Sequence, residues 1–226
     1  MSELQTRILS AAVLAPIALA ALLAGGLPFA ILVALVALIG LWEWIAITGS
    51  RVLWMGFGLV YLAVPAAGLI LLRQAPSPAG WAALLLILAV VWATDIAAYF
   101  AGRGIGGPKL WPRVSPKKTW SGALGGLAAA IVAGGLVTAL SGVGGFLVGA
   151  ALAAPLSIAA QAGDLFESAV KRRFGVKDSG TIIPGHGGVL DRVDGVLGAA
   201  WLAVLLAVLG LGQDILVLPS TPGGAS

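Results

Sequence analysis

No cysteine occurs anywhere in this chain, which excludes disulfides, thiolate metal sites and cysteine nucleophiles together. Histidine occurs once, at His186, and a lone imidazole without thiolate partners cannot build a zinc site. A metal, if used, must be a hard cation held by carboxylates, and Mg²⁺ is the usual one. Charge is scarce as well. Only 10% of the 226 residues are Asp, Glu, Lys or Arg, where a soluble domain carries about 25%. Hydrophobic residues make up 60%, and the mean hydropathy is +1.06. Too little polar surface exists to coat a globule, so lipid must be the solvent for most of the chain. The net charge of +4 then reflects topology and anionic ligands, and nucleic acid is not expected as a partner.

A bilayer span needs roughly 20 apolar residues. Seven stretches qualify: Ile8–Leu23, Pro28–Ile47, Leu53–Leu72, Trp81–Ala101, Gly122–Leu140, Val143–Ala162 and Val193–Leu211. The first also fits a cleaved signal peptide, since Arg7 precedes a short Ala/Leu run. The predicted fold is an all-α polytopic helix bundle forming one integral membrane domain over residues 1–226. N-terminal spans would occupy 1–75, catalytic spans and loops 80–212, and a disordered tail 213–226. With the N-terminus inside, twelve of the thirteen Lys and Arg residues fall on one side, and only Arg73 lies opposite. That places a polar site on the cytoplasmic face of a bacterial-type inner membrane. Glycines such as Gly126 and Gly134 read as close-packing faces. Pro16, Pro65 and Pro155 are expected to kink their helices.

Five of the nine acidic residues lie between Asp164 and Asp194. Asp164, Glu167, Ser168 and Lys171 stand at i, i+3, i+4 and i+7 and so share one helix face at the end of the sixth span. Asp191 and Asp194 repeat the i, i+3 spacing where the seventh span begins. Charge at the ends of apolar spans is costly and generally functional, and two carboxylate pairs on adjacent helix ends can clamp one or two divalent cations. Between them lie Lys177-Asp178-Ser179-Gly180 and Pro184-Gly185-His186-Gly187-Gly188, a Gly-rich run able to turn backbone N–H groups toward phosphate. A second inside loop carries Arg103, Lys109, Arg113, Lys117 and Lys118 and no acid. Ser115, Lys117, Lys118 and Thr119 stand at the start of the fifth span, where an oligophosphate or lipid headgroups would bind. Asp95, two turns inside the fourth span, requires a metal or a cation such as Arg103. Glu43, between Trp42 and Trp44, reads as a snorkelling interfacial anchor.

These residues resemble the phosphatidate cytidylyltransferase (CDP-diacylglycerol synthase) family. Its signature is matched by Ser168-Ala-Val-Lys171-Arg172, Lys177-Asp178, Pro184-Gly185-His186-Gly187-Gly188 and Asp191-Arg192-Val193-Asp194. A second similarity covers Asp95 to Arg103 and Ser115 to Gly122, so the resemblance spans the C-terminal two-thirds of the chain. Gly195 departs from it, since many members carry Ser there. The resemblance implies that CTP and phosphatidic acid give CDP-diacylglycerol and diphosphate among membrane lipids. It assigns catalysis to Asp164, Lys171, Asp191 and Asp194. Mg²⁺, as one or two ions, would sit on Asp164 and Asp191, with Glu167, Asp194 and Asp95 as further ligands. Phosphates would be held by Lys117, Lys118, Lys171 and Lys177, with Arg103, Ser115, Thr119, Ser168, Arg172, Asp178, His186, Gly187, Gly188 and Arg192 completing the substrate site. A homodimer is an admissible assembly. Two rivals stay open: another membrane transferase acting on a lipid phosphate, and an ion-coupled transporter, whose acids would sit nearer the midplane.

Overall fold

The structure, a computed structural model, describes residues 3–185 and 187–218. His186 and residues 219–226 of the expected tail lie outside the described residues. Helices follow one another as α1 (Glu3–Ala24), α2 (Gly26–Thr48), α3 (Val52–Gln74), α4 (Ala79–Gly104), α5 (Trp120–Ser141), α6 (Gly145–Arg173) and α7 (Leu190–Val208). The helix is the natural outcome for such runs, because in lipid every backbone N–H and C=O must be satisfied within the segment. Helices α1, α3 and α6 continue through Pro16, Pro65 and Pro155.

Among the described residues, five helices are long and apolar enough to cross a bilayer: α2, α3, α4, α5 and α6. The seven expected spans thus correspond to seven helices, of which α1 and α7 fall outside those five. In α7 the charges Asp191, Arg192 and Asp194 crowd the first two turns. In α1 the described apolar stretch, Ala12–Ala24, is short. Outward-facing residues agree with an integral membrane protein: Leu53, Leu140 and Leu147 are 88%, 85% and 81% exposed, an arrangement that lipid rewards and water would penalise.

The loop between the fourth and fifth spans is not irregular. It folds into a small antiparallel hairpin, β1 (Lys109–Trp111) and β2 (Ser115–Thr119), with Lys109 opposite Thr119 and Trp111 opposite Ser115. Its far end runs directly into α5, whose N-cap is the Thr119 side chain.

Helix α4 is central. Leu86, Ile87, Val90 and Val91 pack with Ala130 of α5, Ala153 and Leu156 of α6, and Ala199 and Ala203 of α7. The α4–α5–α6 layer is held close by glycine. A Cβ on Gly126 would come within 2.7 Å of the Thr94 carbonyl oxygen, and one on Gly134 within 2.5 Å of the Ala153 Cβ. Without a hydrophobic drive between helices in lipid, such backbone approach is how they associate. The predicted tail starts too early. Ile215 and Leu216 are 0% and 1% exposed and belong to this same core, because the chain turns back after α7 and buries them.

A second, aromatic cluster joins α2, α3 and α6. Trp44 is fully buried and lies 5.6 Å from Tyr61 and 6.3 Å from Phe166 between ring centroids. Its indole N–H donates to the Trp54 carbonyl at 2.8 Å. Trp54 meets Phe174, just past the end of α6, edge-on at 5.1 Å. The C-terminal end of α2 is thereby fastened to the C-terminal end of α6.

Candidate functional site

Helix α6 stays unbroken to Arg173, so Asp164, Glu167, Ser168 and Lys171 form the face their spacing predicts. Glu167 and Lys171 are 1% and 7% exposed. A buried ammonium needs counter-charge, and Lys171 has two carboxylates: Nζ pairs with Asp191 Oδ1 and lies 3.4 Å from Glu167 Oε1. The other oxygen of Asp191 accepts from the backbone N–H of Ser179 at 2.9 Å and of Gly188 at 3.1 Å. Asp191 precedes the apolar run that starts at Val193. Burial alone would raise its pKa, but Lys171 and the Ser179 N–H outweigh burial and hold it below the usual carboxylate range. Both oxygens of Asp191 are therefore engaged within the protein, as is the N–H of Gly188. Lys171 likewise faces two carboxylates.

The cationic side arrives from the hairpin. Lys118 of β2 forms an ion pair with Asp164 of α6, and Asp164 also accepts from Ser168 Oγ at 3.4 Å. The two charged loops predicted to share one face do meet. Around this contact opens a cavity of about 500 Å³, lined by Asp95, Arg103, Lys109, Lys117, Lys118 and Asp164, with Thr94 and Gln161 among its further residues. Gln161 Nε2 donates to the Ala123 carbonyl at 3.4 Å, and Thr94 shares a 2.8 Å hydrogen bond with Ser157. These polar side chains take part in the contact between α4, α5 and α6. Neither stood out in the sequence, since single Thr and Gln residues inside apolar runs carry no spacing signal.

Other predicted residues fall outside this arrangement or have structural duties. Asp95 is exposed toward the cavity rather than paired with Arg103, whose guanidinium donates to the Tyr99 hydroxyl at 2.9 Å. Thr119 is buried as the cap of α5, accepting the Gly122 N–H at 3.1 Å. Ser115 is half-buried at the start of β2. Arg172 donates to the Val176 carbonyl at 2.9 Å, closing the turn after α6. Lys177, Asp178 and Arg192 are exposed. Gly187 forms a bridge with Ile183, accepting its N–H at 3.0 Å. Glu43 is not a snorkelling anchor: it is completely buried and accepts from Val189, Leu190 and Ser179.

A hard divalent cation suits the donors present. Among the described residues no three Asp, Glu or His side chains gather into a ready cage. Glu167 nevertheless has both carboxylate oxygens buried, with the Lys171 ammonium 3.4 Å from Oε1 and no closer hydrogen-bond donor, and the Asp194 carboxyl is near enough for their charges to interact. Asp164 is near enough to Asp194 and to Asp95 for its charge to act on each. Mg²⁺ is typically held by one or two carboxylates and completes its shell with water and substrate phosphates, so a pair such as Glu167 and Asp194 fits it in donor chemistry.

A family model described as "Cytidylyltransferase family" matches residues 50–209. A protein named phosphatidate cytidylyltransferase from Brucella suis biovar 1 (strain 1330) is 53% identical over 162 residues, covering 72% of this chain and 60% of that protein. One of the same name from Rickettsia bellii (strain RML369-C) is 39% identical over 206 residues, covering 87% of each. Another, from Pseudomonas aeruginosa, is 41% identical over 170 residues, 73% of this chain and 61% of that one. The match thus spans about three-fifths of the length of the Brucella and Pseudomonas relatives.

Proposed function

The chain belongs to the cytidylyltransferase family, and on that premise we propose that it is a phosphatidate cytidylyltransferase, converting CTP and phosphatidic acid to CDP-diacylglycerol and diphosphate. The contact that carries the reading is Lys118 of the hairpin on Asp164 of α6. It brings a cation-lined cavity against a row of carboxylates at one end of a lipid-embedded bundle, which is what nucleotide chemistry on a membrane lipid requires.

The nucleophile is the phosphate oxygen of phosphatidic acid, already ionised at neutral pH, so no strong base is needed. It forms a bond to the α-phosphorus of CTP while the bond from that phosphorus to the bridging oxygen breaks, and diphosphate leaves. Two anions must approach each other, and charge screening is the main demand. Asp164, Glu167 and Asp194, with Asp95 nearby, are the residues that would hold Mg²⁺. The ion, when bound, supplies that screening and neutralises the departing diphosphate. Lys109, Lys117 and Arg103 would meet phosphate oxygens in the cavity, and Lys118 would exchange Asp164 for one of them. Lys171 and Asp191 keep the end of α6 and the start of α7 in register. The positive-inside bias supports placing this end at the cytoplasmic face of a bacterial inner membrane. Transport is disfavoured because the carboxylates of α6 and α7 occupy the last three turns of α6 and the first two of α7, away from mid-span.

Purified protein in lipid nanodiscs, given Mg²⁺, CTP and phosphatidic acid, is expected to release diphosphate, and chelator to stop the release. Absence of release across several lipid compositions would overturn the proposal.

A further inference from the structure

Glu43 lies on α2, ahead of the residues matched by the family model, which begin at 50. Its carboxylate nevertheless bonds to both ends of the 177–191 segment, at Ser179 and at Val189 and Leu190. Oε1 accepts the Val189 N–H at 2.9 Å, and Oε2 accepts the Leu190 N–H at 2.8 Å and the Ser179 hydroxyl at 3.2 Å. Those two N–H groups are at the amino end of α7, which has no side-chain cap of its own. Glu43 therefore caps α7 from another helix, satisfying donors that would be orphaned and placing negative charge at the positive end of the dipole. The loop is wrapped tightly around it, since a Cβ on Gly188 would come within 2.8 Å of Oε1.

The contact chain continues into the site. Ser179 accepts the Asp191 N–H on its hydroxyl at 3.3 Å and donates its own N–H to Asp191 Oδ2. Asp191 holds Lys171, and Lys171 sits beside Glu167. Trp44, the next residue on α2, is locked by the aromatic cluster against Phe166 of α6. We infer that Glu43 is a positioning residue for the reaction: from outside the catalytic segment it sets where α7 starts, and so where Asp191 and Asp194 stand relative to Glu167. This rests on the function proposed above.

The test uses the full chain in nanodiscs with two readouts. The first is kinetic. E43Q replaces one acceptor with a donor facing N–H groups, and kcat is expected to fall roughly 10- to 100-fold, as ångström-scale misplacement does. The Mg²⁺ concentration for half-maximal rate should rise, and KM for CTP should change less than twofold. The second is independent of turnover. The chain has no cysteine, so T181C, exposed in the loop, takes a single spin label whose mobility E43Q should increase. E43D, which keeps the charge but withdraws it by one methylene, should lie between wild type and E43Q in both, and serves alone if E43Q does not accumulate. An unchanged kcat, or an unchanged label spectrum, overturns the inference. If the wild type itself releases no diphosphate, the proposed function fails, while the label still decides whether Glu43 orders the loop.

Discussion

The two halves of the site are built on opposite principles. The acidic half, at the junction of α6 and α7, is buried and internally bonded: Lys171, Asp191, Ser179 and Glu43 spend their polar atoms on one another. The cationic half, on the end of α4 and the β1–β2 hairpin, is largely exposed, as at Arg103, Arg113 and Lys117, and the Lys118–Asp164 ion pair reaches across. Order costs entropy and exposed charges are screened. The acidic half is therefore suited to holding geometry, and the cationic half to attracting and releasing a changing set of phosphates.

Substitutions should separate these roles. The largest effect is expected from Asp164→Asn, which removes a proposed cation ligand and the partner of Lys118: diphosphate release should drop by about 10²–10³-fold, with the melting temperature close to wild type. A stable mutant with normal turnover would break the contrast at its meeting point. Next comes Lys171→Met. Removing a buried cation leaves Glu167 and Asp191 uncompensated, a loss of about 3–5 kcal/mol, seen as a large fall in thermal stability with activity lost alongside. Lys171→Met combined with Glu167→Gln should regain part of that stability. On the exposed half, Lys117→Ala should raise KM for CTP about 3- to 10-fold, with the difference shrinking at high salt and no change in melting temperature.

The smallest effect concerns pH. The Asp191 pKa is lowered in the folded protein, so its charged form contributes stability above the ordinary carboxylate range. That contribution is lost as pH falls from there through the lowered value. Asp191→Asn should therefore flatten the acid side of a stability–pH curve, measured by thermal unfolding, while leaving the Lys117 dependence on salt unchanged.

Local periodicity carried much of this into view from the sequence. The i, i+3, i+4, i+7 face of α6 needed only an unbroken helix, and a shared side for the two charged regions followed from the distribution of Lys and Arg along the chain. What stayed hidden depends on partners far along the chain. Glu43 looked interfacial because its neighbours are tryptophans, and its hydrogen-bond partners lie as far as 147 positions away. Asp95 and Arg103, two helical turns apart, suggested a pair. In the structure Arg103 turns to Tyr99 one turn back, which an i, i+4 contact favours. The hairpin was masked by Pro108, Pro112 and Pro116, which disfavour long strands yet tolerate a short two-stranded ribbon. Ile215 and Leu216 were obscured by the Gly- and Pro-rich end that follows them.

The glycine-set spacing of α4, α5 and α6 has a bearing on how the cavity can adapt. Where backbones already touch, as at Gly126 against Thr94, two helices have no room to slide closer or to rock on intervening side chains. The walls these helices contribute are thus of constant width, and accommodation of differently sized guests falls to the long exposed side chains at the rim, Arg103, Lys109 and Lys117.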